Sequence, residues 1–265
     1  MKKNEYNPIG IESQLDWPRI RKLLLIGLFA GCMVFIGDWI LGYGVKDPTL
    51  TGLEGKLSTY TGKTDSTYFW SALLGLFGIV LEGLSYFGIY RLMAEKSPAH
   101  AHKLRTGIIG YIAFGACGVH VPCIMIAWLY NYLMQKAPAL AYECSLKFAK
   151  YFFLPSTILF LIFCVYLIAV QILAFAKGMT PYPKWCWIFN IGFGMVVTMA
   201  VATPFRGYHW GNALAAAWIS VGNIWQFAGL LIMMKKAATA STSWWRTWRS
   251  GSIPWGGWTS IPKGF

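Results

Sequence analysis

Long apolar stretches, six in all, constrain the fold of this chain more than any other feature of its sequence. Several are about 20 residues long, which is enough to cross a hydrocarbon core of about 30 Å. Inside lipid the backbone has no water to bond, so such stretches must be helices. Only 12% of the 265 residues are charged, and 56% are hydrophobic. A soluble domain carries about twice that charged fraction. The sequence therefore predicts an all-α fold, a multi-pass transmembrane helical bundle.

The apolar stretches divide the chain into three parts. Residues 1–22 form a polar, basic N-terminal segment, and residues 237–265 form a tail rich in Trp and Arg. The tail has the composition of an interfacial anchor, and a disordered terminus is the alternative. Between them, residues 23–236 are predicted to form a six-helix transmembrane domain. Its spans lie near residues 23–43, 68–93, 106–134, 151–176, 185–202 and 211–234.

Basic residues cluster at the ends of the spans and predict the orientation of the bundle. With the N-terminus inside, most loop Lys and Arg lie on the cytoplasmic side, as the positive-inside rule requires. Three lysines contradict this placement: Lys136, Lys147 and Lys150. We expect both termini in the cytoplasm and the protein in the cell inner (cytoplasmic) membrane.

The net charge of +13 can be explained without nucleic-acid binding. Topology and anionic head groups account for basic residues beside membrane spans. We therefore expect membrane lipids as partners and no nucleic acid, while the sequence names no protein partner. It contains no Walker motif, dinucleotide fingerprint or Ser nucleophile elbow, so nucleotide use and hydrolase chemistry of those kinds have no support.

One cysteine-containing motif has a spacing that suits a soft metal ion. Cys117, His120 and Cys123 repeat every three residues and so follow one helix face. However, no second His/Cys pair lies at ligand spacing in another apolar stretch, and Pro122 distorts the repeat. Buried cysteine more often packs as a small hydrophobe. We expect no metal and no cofactor.

Three ionisable side chains fall at membrane depth: Asp38 in the first span, Glu82 in the second and His120 in the third. A charge at the bilayer centre costs about 2.5–3.5 kcal/mol on insertion scales, so such groups are usually retained for function. We expect them to converge on one polar pocket, with Asn223 of the sixth span as a hydrogen-bonding partner. The apolar wall of this pocket is expected to contain Trp39, Trp225 and Tyr86. Asp38, Glu82, His120 and Asn223 are thus the candidate ligand-binding residues.

A Glu–His pair in such a pocket suits two kinds of function. It could pass a proton in coupled transport, or act as acid and base on a bound lipid. A hydrogen bond that merely orients helices fits as well. We expect binding or translocation of a small amphipathic molecule, which could be proton-linked. Two alternatives stay open: an intramembrane enzyme with Glu82 and His120 as candidate catalytic residues, and a non-catalytic membrane subunit or assembly factor.

Several motifs give the chain a resemblance to a known group of proteins. Apart from His120 they are Gly37-Asp38, Gly88-Ile-Tyr90-Arg91, Thr180-Pro-Tyr-Pro-Lys-Trp185 and Trp218-Ile-Ser-Val-Gly-Asn223. With them the chain resembles an uncharacterised family of bacterial six-span integral membrane proteins. The motifs extend to about Met234 and leave out the tail. The resemblance implies the topology and no activity.

Overall fold

The computed structural model describes the backbone of residues 15–249 and the side chains of residues 15–239. Every regular element in this range is helical, as the sequence predicts. The ten α-helices of the described residues are α1 (Trp17–Gly42), α2 (Gly52–Leu57), α3 (Asp65–Ala94), α4 (Pro98–Phe114), α5 (Val121–Lys136), α6 (Pro138–Phe148), α7 (Leu154–Ala176), α8 (Ile191–Ala202), α9 (His209–Ala216) and α10 (Trp218–Arg249).

Four stretches of helix are long and apolar enough to cross a membrane. Two are α1 and α3. The other two are α4 with α5, joined by a π-helical turn at Gly115–His120, and α6 with α7, joined by another at Ala149–Phe153. Helices α9 and α10 meet at an angle of 64° and pass the same test only as a pair. The described residues therefore contain four candidate spans, or five with the bent pair.

The stretch at residues 185–202, a predicted span, has a shorter helix than expected. A 3-10 turn occupies Lys184–Ile188, and α8 starts only at Ile191. The Asn190 side chain accepts a 2.8 Å hydrogen bond from the Gly192 N–H, which fixes the start of α8 by N-capping. The apolar helical segment Ile191–Phe205 is thus too short to qualify as a span by length.

The first span also differs from its predicted boundaries, because α1 begins at Trp17. The Asp16 carboxylate accepts a 3.0 Å hydrogen bond from the Arg19 N–H and caps this end. At the other end, the Lys63 ammonium donates to the carbonyl oxygens of Ile40 and Tyr43, at 3.2 and 2.9 Å. A cation there satisfies free carbonyls and the negative end of the helix dipole.

Residues 43–64, between α1 and α3, fold over one end of the bundle, and we call them the cap. Asn212 of α9 donates its side-chain N–H to the Gly44 carbonyl at 2.8 Å. Asn131 of α5 accepts from the Gly62 N–H at 2.9 Å. The Tyr68 hydroxyl of α3 donates to the Tyr60 carbonyl at 2.7 Å. The cap is therefore fixed to three helices.

Pro122 explains the hydrogen bonding around the Gly115–His120 turn. Proline has no N–H, so the Gly118 carbonyl four residues earlier loses its helical donor. The Ser156 hydroxyl of α7 donates to that carbonyl. At membrane depth a freed carbonyl needs a partner from the protein, and here a neighbouring helix supplies it. This contact joins the two long bent helical stretches.

Candidate functional site

Polar side chains from several helices meet inside the bundle in two clusters. The first is an acid–base contact that we call the Asp38–His120 pair, between α1 and the turn that precedes α5. The second, which we call the Glu82 cluster, contains Glu82, Tyr86, Tyr111 and Asn223 from α3, α4 and α10. Asp38 and Glu82 are near enough for their charges to interact.

The Asp38–His120 pair has a gap between its facing atoms. Nδ1 of His120 lies 3.6 Å from Oδ1 of Asp38, which is too long for a direct hydrogen bond. The outer atoms of both side chains are occupied. Ser220 of α10 donates its hydroxyl to Oδ2 of Asp38 at 3.0 Å, and Nε2 of His120 lies 3.0 Å from the Ser71 carbonyl oxygen. Nδ1 of His120 and Oδ1 of Asp38 are thus the two polar atoms of the pair that form no hydrogen bond within the described residues.

The surrounding sequence positions the imidazole. His120 is the last residue of the π-helical turn, an irregularity that is common at functional sites. On α3 the ring lies against Gly75, where an added Cβ would overlap the imidazole. Only glycine leaves this room. The ring is therefore held between a glycine and a backbone carbonyl of the same helix.

The hydrogen bonds determine where a proton must lie. A carbonyl oxygen can only accept, so Nε2 of His120 carries the proton directed at Ser71. In a neutral imidazole Nδ1 would then present a lone pair to the Asp38 carboxylate. Two acceptors that face each other repel. The pair is stable when it holds one proton, on Nδ1 or on the carboxyl group.

The Glu82 cluster is a chain of hydrogen bonds. Tyr111 donates its hydroxyl to Oε2 of Glu82 at 2.8 Å, and the Asn223 side-chain N–H donates to the Tyr111 oxygen at 2.9 Å. Tyr86 donates to the Asn223 carbonyl oxygen at 2.7 Å. Glu82, Tyr86 and Asn223 have no exposed surface. Oε1 of Glu82 has no hydrogen-bond partner among the described residues, and an added Cβ on Gly31 would lie 3.6 Å from it.

The four candidate ligand-binding residues are thus divided between two levels of the bundle. Gly31, beside Glu82, and Asp38 are seven residues apart on α1, or about 10 Å along its axis. The structure brings Asp38 to His120, and Asn223 to the cluster of Glu82. Within the described residues no hydrogen bond or ion pair joins Glu82 to His120.

Three partners in these clusters were not anticipated from the sequence. In the sequence Tyr111 cannot be told from an aromatic residue that only packs in the core. Ser71 acts through its backbone carbonyl, and such a role leaves no signal in the sequence. Ser220 could have been found, because it precedes Asn223 by three residues and so shares its helix face. Tyr86, expected in an apolar wall, uses its hydroxyl in the cluster.

The cap supplies polar groups above the pair. The Tyr60 hydroxyl is near enough to Asp38 and Cys123 to interact electrostatically with both. The Lys56 ammonium lies 5.6 Å from the centre of the Tyr60 ring. Packing around the ammonium lowers the pKa of Lys56, and nearby Arg206 lowers it further.

Cys117 is exposed and Cys123 is half-buried. In the described part of the chain no three His, Cys, Asp or Glu side chains converge where a metal ion could bind.

Comparison with known proteins gives one match. A family of unknown function, DUF6796, matches residues 1–237. No curated protein and no solved structure matches the chain. The matched region includes both polar clusters and ends where the Trp- and Arg-rich tail begins. This confirms the expectation of an uncharacterised family. The chain belongs to this family of unknown function, DUF6796.

Proposed function

We propose that this protein binds a small amphipathic molecule at the Asp38–His120 pair and translocates it, and that binding requires the proton of the pair. The observation that carries the proposal is the 3.6 Å gap between two side chains whose other polar atoms are already bonded. A buried acid–base contact without a direct hydrogen bond has unused capacity for a ligand.

Accessibility supports this pair over the Glu82 cluster as the binding site. The side chain of His120 is 9% exposed and that of Asp38 is 16% exposed, whereas Glu82 has no exposed surface. The first two side chains are therefore partly accessible from outside the bundle. Glu82 lies beside Gly31, which packs against Ile224. We assign the Glu82 cluster the role of holding α3, α4 and α10 together behind the site.

The proposed contact follows from the direction of the proton. With Nε2 bound to Ser71, the Nδ1–H of a protonated imidazole is free to donate to a ligand oxygen, and the Asp38 carboxylate balances the charge. Binding should therefore weaken as the pH rises and the pair loses its proton. The other titratable groups around the pair are Glu82, Tyr60 and Cys123, with Lys56 farther out.

We further propose six crossings with both termini in the cytoplasm of a cell whose inner membrane holds the protein. Lys96, just beyond α3, donates to the Thr180 carbonyl at 3.3 Å, which puts the end of α7 opposite the cap. Asn212 of α9 bonds to the cap itself. These two contacts support a crossing by the chain between them, and α8 is the apolar helix that would provide it. The positive-inside rule then assigns the cap to the outer side.

The test is to identify what the protein retains after extraction from its membrane. Native mass spectrometry should detect a small amphipathic molecule on the wild-type chain. Asp38→Asn and His120→Gln should each lower its retention about tenfold or more, since a hydrogen bond to a charged group contributes about 1.5–3 kcal/mol. Glu143→Gln, an exposed carboxylate paired with Lys147, is the matched control and should retain it. Equal retention by Asp38→Asn and the wild type would refute the proposal.

A further inference from the structure

We propose that Glu82 is a second proton-binding site of this protein, whose carboxyl group is neutral at neutral pH and carries its proton on Oε1. The site lies in the cluster behind the Asp38–His120 pair and is independent of the ligand proposed for that pair. Three features support it: the burial of Glu82, the absence of a cation beside it within the described residues, and the unequal hydrogen bonding of its two oxygens.

The carboxyl group of Glu82 is closed off from solvent. Glu82 lies near the middle of α3 and has no exposed surface. A carboxylate at this depth would lose its hydration, and a buried charge is tolerated only when it is paired and hydrogen-bonded. Within residues 15–239 Glu82 forms no ion pair. An isolated buried carboxyl group of this kind takes up a proton and becomes neutral.

The titratable groups around Glu82 cannot replace the missing counter-ion. Tyr111 of α4 and Tyr86 of α3 belong to its cluster, and Cys164 of α7 packs in the same core. Asp38 lies about two turns of α1 away. Phenol, thiol and carboxyl groups are either neutral or negative. They therefore give no compensation for a negative charge on Glu82, and an ionised Asp38 would repel it.

The two oxygens of Glu82 differ in the way that a neutral carboxylic acid requires. Oε2 accepts the Tyr111 hydroxyl at 2.8 Å, whereas Oε1 has no hydrogen-bond partner among the described residues. An ionised carboxylate accepts through both oxygens, and buried examples that stay ionised accept two or three donors. In the neutral acid Oε2 is the carbonyl oxygen and Oε1 is the hydroxyl oxygen.

The chain of hydrogen bonds determines which oxygen is the acceptor. The Asn223 side-chain N–H donates to the Tyr111 oxygen at 2.9 Å, so the Tyr111 hydroxyl directs its own hydrogen at Oε2 of Glu82. Tyr86 donates to the Asn223 carbonyl oxygen at 2.7 Å, which keeps the amide in this orientation. Oε2 is thus engaged as an acceptor, and the proton of Glu82 belongs on Oε1.

This proton lies on the same helix interface as the proton of the Asp38–His120 pair. The two levels are about 10 Å apart along α1. On α10 they are only three residues apart, because Ser220 bonds to the pair and Asn223 to the Glu82 cluster. The bundle would therefore hold two protons at two depths between the same three helices, α1, α3 and α10.

The experiment is infrared spectroscopy of the full chain in a detergent without carbonyl groups, at about pH 7, where an ordinary glutamate is ionised. A protonated carboxyl group shows a carbonyl stretch that a carboxylate lacks. Glutamate labelled with heavy carbon in its side-chain carboxyl group separates this band from those of aspartate and lipid. The wild type should show one isotope-sensitive band, and Glu82→Gln should lose it.

A second variant keeps the carboxyl group and tests the assignment of its oxygens. Tyr111→Phe removes the donor to Oε2 of Glu82. The isotope-sensitive band should persist and move to higher frequency, since a hydrogen bond to a carbonyl oxygen weakens the C=O bond. This variant also keeps the test valid if Glu82→Gln does not fold. A band at the wild-type frequency would contradict the assignment of Oε2 as the acceptor.

Two controls identify the position of the proton. Glu143→Gln removes an exposed carboxylate paired with Lys147 and should leave the band unchanged. Asp38→Asn should leave it present as well, whatever its effect on the retained molecule. A wild-type spectrum without an isotope-sensitive band, or a band that persists in Glu82→Gln, would overturn the proposal.

Discussion

At the scale of single residues, the site depends on two positions whose side chains take no part in it. Gly75 leaves the space that the His120 imidazole occupies, and the backbone carbonyl of Ser71 orients the ring. Gly75 contributes by having no side chain, and Ser71 contributes through its carbonyl. Whether such positions meet the imidazole depends on the register of α1, α3 and the turn before α5. Register between helices is set by packing and cannot be read from one segment of sequence.

Gly75→Ala should damage the site directly. The added methyl group must displace the imidazole from the Ser71 carbonyl, and overpacking of this kind costs about 1–3 kcal/mol. We expect a lower thermal unfolding temperature in detergent and loss of the retained molecule. Gly207→Ala is the control, because an added Cβ there meets nothing within 4 Å. A Gly75→Ala protein with wild-type stability and retention would show that His120 does not need this space.

At the scale of helices, capping and proline chemistry explain where the elements begin and bend. The sequence predicts a start of the first span near residue 23, after the basic residues, yet α1 starts at Trp17. Arg and Lys have long apolar stems and tolerate the end of a membrane helix. A distortion at Pro122 was predicted from proline itself, whereas the π-helical turn before it could not be predicted. It depends on Ser156, a residue of another helix.

Ser156→Ala tests that dependence. Removal of the hydroxyl leaves the Gly118 carbonyl without its partner, and interhelical hydrogen bonds in membranes contribute about 0.6 kcal/mol on average. We expect a destabilisation of that order, measured by thermal unfolding in detergent. Thr157→Ala is the matched control, because the Thr157 hydroxyl bonds only to Phe153 in its own helical stretch. An equal effect of the two substitutions would show that the contact between the helices contributes nothing specific.

At the scale of the whole molecule, composition alone predicted the class of fold. The apolar stretches predicted an all-helical bundle, and the three ionisable residues at membrane depth all proved to be largely buried. The grouping of those residues did not follow from sequence, because depth along a span does not specify rotation about its axis. The tail was predicted to be interfacial or disordered. The backbone of α10 continues to Arg249, and residues 250–265 lie outside the described range.

The six-crossing topology predicts which loops share a side. In a variant without native cysteines, Thr61→Cys and Gly207→Cys should react with an impermeant maleimide from outside the cell. Ala99→Cys should react only after the membrane is opened. All three positions are exposed. Because the bond from Asn212 joins α9 to the cap, labelling of positions 61 and 207 from opposite sides would contradict the topology.

The most direct test of the central claim is the pH dependence of retention at the Asp38–His120 pair. Native mass spectrometry would count the co-purified amphipathic molecule at about pH 5, pH 7 and pH 9, a range in which acidic and basic side chains gain or lose protons. We predict that retention falls as the pH rises, and that His120→Gln makes it weak and independent of pH. A constant level of retention across this range, or the same decline in His120→Gln, would contradict the account.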